Sequence, residues 1–61
     1  MQPSFPDGTR VTLSHTYGTL PPGSAGTVQK TVFIGLAEYC DVDFDDIPGT
    51  STVLVLAAWL Q

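Results

Sequence analysis

The sequence predicts an all-β domain, a small five-stranded barrel with one short 3-10 or helical turn near its C-terminus. Three observations carry the expectation. Two glycines bracket a tight entry into an apolar strand in Gly23-Ser24-Ala25-Gly26-Thr27-Val28. Further on, Glu38-Tyr39-Cys40-Asp41-Val42-Asp43-Phe44 alternates, with Cys40, Val42 and Phe44 on one face and Tyr39, Asp41 and Asp43 on the other. Val53-Leu54-Val55-Leu56 is apolar on both faces and runs into Ala57-Ala58-Trp59, which reads as a single helical turn.

Length and composition bound what such a chain can be. Its 61 residues make one domain, and a chain so short buries only about 60% of its unfolded surface. The core is therefore small and leaves no room for a separate catalytic domain or a deep cofactor cleft. A hydrophobic fraction of 43% against 13% charged residues suits a folded domain rather than a disordered tail. The formal net charge is −4, and only Arg10 and Lys30 are basic, so the phosphate contacts that nucleic-acid binding draws on are scarce. Cys40 is the single cysteine, which excludes an intramolecular disulfide and favours a reducing, cytoplasmic setting. The N-terminal residues lack the pattern of a signal peptide. The longest apolar run, Val53 to Leu60, falls short of the ~20 residues of a membrane span, so no membrane insertion is expected.

Taken in order, residues 1–6 form an extended lead-in, because Pro3 and Pro6 fix φ and lack an amide donor. Asp7-Gly8 is a turn, and Thr9 to Ser14 alternates as a half-buried strand with Val11 and Leu13 inward. His15 to Gly23 has no period and holds Gly18, Pro21, Pro22 and Gly23; it reads as a long loop with Leu20 as its inward anchor and Tyr17 outside. Gly26 to Phe33 is the second strand, with Val28 inward and a bulge expected near Thr31, where the alternation falters. A turn about Gly35 follows, and one of Phe33 and Ile34 must be exposed. After the Glu38–Phe44 strand, Asp45 to Ser51 is a turn whose strongest signal is Pro48-Gly49. Thr52 to Leu56 is the fourth strand; partial exposure is expected of Leu54 or Leu56, and Trp59 is expected to close a barrel end.

Gly8-Thr9-Arg10-Val11, the stretch from Leu20 to Val28, Tyr39 to Phe44 and the Val53–Leu56 strand with its short turn together resemble the small SH3-like β-barrels. That group includes KOW-type ribosome and transcription modules and small subunits of cyanobacterial and plastid electron-transport complexes. The resemblance covers most of the chain and implies a binding module rather than an enzyme. The acidic balance departs from the KOW members that bind nucleic acid.

Asp41-x-Asp43-x-Asp45-Asp46 copies the opening of a calcium-binding loop, but Asp46 stands where glycine is needed and Thr52 where an acid is needed. On a strand the carboxylates lie roughly 7 Å apart, so no metal site is assigned. His15 and Cys40 form no convincing base and nucleophile, since Cys40 is expected to point inward and no third group orients His15. Gly23-x-x-Gly26 lacks the following helix of a phosphate loop. No catalytic residue and no cofactor is predicted.

The expected function is non-enzymatic: a protein-interaction module, either an accessory subunit or a small inhibitor. Its predicted partner-binding residues are His15, Tyr17, Tyr39, Asp41 and Asp43, an acidic and aromatic face suited to a basic protein surface. Two alternatives are a KOW-type nucleic-acid-binding module using Arg10 and Lys30, and a homo-oligomer pairing through Thr52–Leu56.

Overall fold

A computed structural model describes residues 2–47 and 52–61 of the chain. The described residues form four antiparallel strands in one open sheet: β1 (Arg10–Thr12), β2 (Ala25–Ile34), β3 (Ala37–Phe44) and β4 (Val53–Leu56), in the order β1-β2-β3-β4. A 3-10 turn, Ala57–Trp59, follows β4 directly, as the sequence predicts. The turn expected at Pro48-Gly49, with Thr50 and Ser51 beside it, lies outside the described residues. Among those residues, no helix is long and apolar enough to cross a membrane.

The expected fifth strand and closed barrel are not seen among the described residues. Instead, Leu60 pairs with Leu13 in a single bridge, while Thr12 and Gln61 exchange backbone hydrogen bonds of 3.0 and 2.9 Å. That return is too short to count as a strand, and among the described residues β4 itself pairs only with β3. β1 is also shorter than predicted, because Leu13 turns its backbone to Leu60, Ser24 and Gly23 instead of extending the ladder with β2.

β2 and β3 make the spine. Their register runs from Gly26 opposite Phe44 to Ile34 opposite Ala37, and it shifts between Val28 and Lys30, leaving Gln29 as the extra residue. The predicted bulge thus sits two residues before Thr31. Its effect is one of parity: Val28 and Thr31, three apart, both oppose inward residues, Val42 and Cys40, while Lys30 between them turns out beside Asp41. Gly35-Leu36 closes this hairpin with φ +61° at the glycine and a negative φ at Leu36, the sign pattern of a type II′ turn.

Alternation then builds the core. Val11, Leu13, Val28, Val42 and Phe44 are all buried as predicted, joined by Leu20, Cys40, Val55, Ala57 and Leu60. Full burial of side chains of this kind contributes about 1.5–3 kcal/mol each. Gly26 is required here by proximity. A Cβ on it would lie 2.8 Å from both the Asp43 carbonyl oxygen and Val42 Cγ1. Ser24 is the buried polar residue, and its hydroxyl donates to the Pro21 carbonyl at 2.6 Å.

The lead-in bends at Ser4–Phe5 instead of staying extended. Phe5 packs against the core, while the Ser4 amide and hydroxyl donate to the two carboxylate oxygens of Glu38 at 2.6 and 2.8 Å. The Asp7-Gly8 turn forms as expected, and the Gly8 amide donates to Val28 O at 2.7 Å.

Candidate docking face

The sheet has one inner face and one outer face, and strand parity assigns the residues. Arg10, Thr27 and Asp43 share a cross-strand row on the outer face; Lys30, Asp41 and Leu54 make the next, and Val32, Tyr39 and Leu56 the third. Three of the predicted residues, Tyr39, Asp41 and Asp43, therefore stand side by side on the outside of β3. All three are half-buried by their neighbours.

The acidic row is partly neutralised by the chain's own cations. Arg10 grips Asp45 in a forked pair, Nη1 to Oδ1 at 2.9 Å and Nη2 to Oδ2 at 2.6 Å, and its Nη1 also donates to Thr27 Oγ1 at 2.9 Å. This contact holds the Asp45 carboxyl below its ordinary pKa and raises that of Arg10, with the hydrogen bond as the larger cause. Lys30 Nζ lies 3.7 Å from Asp41 Oδ2. Asp43 sits between these two pairs and makes no ion pair among the described residues. The calcium-loop spacing thus starts on β3 and ends in the turn after it, its first and third carboxylates, Asp41 and Asp45, face cations, and no group of three potential ligands converges among the described residues.

His15 and Tyr17 lie on the loop after β1, beside the 3-10 turn. The exposed His15 ring is 5.6 Å from the Trp59 ring at a 31° tilt, and its Nδ1 is 2.9 Å from Ser14 Oγ. Ser14 in turn donates to Trp59 O at 2.7 Å. Tyr17 meets Trp59 edge-on at 5.9 Å, and its hydroxyl donates to Leu54 O at 3.1 Å. A tight turn sets this arrangement: Tyr17 and Leu20 exchange two 2.9 Å backbone bonds around Gly18, which buries Leu20 and leaves Tyr17 on the rim. Tyr17 is thus half-buried against the core instead of standing outside it.

The two groups of predicted residues are joined by Leu54. It pairs with Asp41 on one side, receives Tyr17 on the other, and is 38% exposed. Trp59, expected to close a barrel end, contributes its ring to this face beside His15 and Tyr17, a placement with no signal in the local pattern. Cys40 is sealed in the core beside the Thr31 hydroxyl, and burial pushes its thiol pKa up. His15 lies outside against Trp59, so the two do not share a site.

Sequence reasoning missed two further features. At the β2–β3 hairpin both Phe33 and Ile34 reach the surface, 37% and 56% exposed, and Leu36 stands 97% exposed at the tip. An open hollow of about 450 Å³ lies between the lead-in and the start of β3, lined by Phe5, Glu38, Leu56 and Ala58 among others, and no predicted site residue borders it.

The fold and face define a small all-β domain with an acidic, aromatic outer surface. Comparison with protein-family models, with curated proteins and with solved structures finds no match to this chain.

Proposed function

We propose that this chain is a non-enzymatic SH3-like barrel of the cytosol that docks a basic surface of another protein, as an accessory subunit or a small inhibitor. The docking face runs from His15 and Tyr17 across Leu54 to Asp41, Asp43 and Tyr39. The return of Leu60 and Gln61 to β1 supports the barrel part of this reading, since it brings the C-terminal segment back to the first strand.

One observation carries the docking part. Arg10 and Lys30, the only basic side chains, are held by Asp45 and Asp41, and the chain still carries a net charge of −4. Asp43, which makes no ion pair among the described residues, stands on this face two positions along β3 from Asp41, and Tyr39, Tyr17 and Leu54 supply contact area. Such charge steers encounter with a basic partner, and aromatic residues supply much of the binding energy. A KOW-type nucleic-acid role draws less support, because Arg10 and Lys30 would have to leave their carboxylates to reach phosphates.

The test is affinity capture from the cells that make the protein, with wild type compared against an Asp41→Asn, Asp43→Asn variant shown to be folded by circular dichroism. The variant is expected to lose the captured partner, and raised salt to weaken capture by wild type. Undiminished capture by the variant overturns the assignment of this face.

A further inference from the structure

We infer that the far half of β2 is a self-complementary strand edge through which two copies of this chain pair antiparallel about a two-fold axis at Val32. Backbone direction comes first. Ile34 and Ala37 close a two-residue hairpin and form its hydrogen-bonded pair. Alternation then turns the N–H and C=O groups of Val32 and Lys30 toward β3, and those of Thr31 and Phe33 away from it. On that side β1 reaches only as far as Thr27, and Gly8 and Thr9 bond to Val28. Beyond Val28, no described residue takes up the outward groups of Thr31 and Phe33.

The other edges are each occupied in part. Gln61 occupies the backbone of Thr12 beside β1, and the Tyr17 hydroxyl occupies Leu54 O on the outer side of β4. Homo-oligomer formation through Thr52–Leu56 would have to displace that hydroxyl. Pairing through β2 displaces nothing.

The occupant follows from the spacing of the open groups. With Val32 facing its own copy, Thr31 lies opposite Phe33 of the other chain twice over, and four backbone hydrogen bonds close. The flanking side chains suit this register. Lys30 falls opposite Ile34 of the other copy, its charge already faced by Asp41 of its own chain, and Asp41 and Asp43 both lie on the far side of β2. No like charges meet across the axis. The exposed apolar surface of Phe33, Ile34 and Leu36 borders the seam.

The area sets the strength. Stable complexes bury about 800 Å² per partner, and a strand edge this short buries less, so the dimer is weak. Two copies of net charge −4 repel, so added salt strengthens pairing, whereas it weakens docking to a basic protein. The two interactions are therefore separable in one titration.

Sedimentation equilibrium of the full chain from about 10 μM to about 1 mM tests the inference over the range a weak dimer requires. The expected mass rises from 6.5 kDa toward twice that value, more steeply in high salt. Val32→Lys, which sets like charges opposite each other, is expected to stay monomeric, and an equimolar mixture with Val32→Glu to regain the dimer. A wild type that stays at 6.5 kDa throughout, a Val32→Lys protein that dimerises as wild type does, or a mixture that stays monomeric overturns the proposal.

Discussion

The hydroxyl of Tyr17 donates to the carbonyl oxygen of Leu54 at 3.1 Å, tying the loop after β1 to the outer edge of β4. A β-edge carbonyl is an invitation to another strand, and a side-chain donor placed on it discourages such pairing. The same tyrosine stacks edge-on against Trp59, so a single residue braces the loop, the edge strand and the 3-10 turn.

Tyr17→Phe keeps the ring and removes the donor. The expected cost is about 1 kcal/mol in urea denaturation, the usual net value of one hydrogen bond. An unchanged midpoint would mean that water replaces the hydroxyl on Leu54 O without loss.

Gly26→Ala tests the closest approach between β2 and β3. The added methyl would meet the Asp43 carbonyl oxygen and Val42 Cγ1 at 2.8 Å, and the first of these is backbone that must move. Overpacking of this kind costs about 1–3 kcal/mol, a large fraction of the stability of so small a domain. Thermal unfolding followed by circular dichroism would register it as a clear fall in midpoint; an unchanged midpoint would show that the two strands spread freely.

The forked pair between Arg10 and Asp45 gives a pH dependence of known sign. The Asp45 carboxyl is held below its ordinary value, so folding gains from its charge above the unfolded carboxylate pKa of about 3.9. That gain is lost as pH falls below this value through the lowered one. Both side chains are solvent-exposed, which keeps the effect small. Carboxyl carbon NMR titration is expected to place the Asp45 midpoint below that of an unpaired aspartate, and Arg10→Gln to raise it. Equal midpoints in the two proteins would remove the pair from the account.

The apolar alternation of Val11 with Leu13 and of Cys40 with Val42 and Phe44 was sufficient to assign strands and inward faces, because a side-chain period of two is local information. Bounded by glycine and proline turns, it determined an all-β chain and the interior residues of its core. The outward placement of Tyr39, Asp41 and Asp43 followed from the same parity. What pairs with what is a property of the folded chain. The bulge at Gln29 fell two residues from its expected place because register depends on how β2 meets β3. Only the tertiary structure showed that Arg10 crosses Thr27 to reach Asp45 and that Tyr17 guards Leu54. It alone reduced the expected fifth strand to the Leu13–Leu60 bridge. Such contacts join residues far apart in sequence, and nothing in the local pattern of either partner encodes the distance between them.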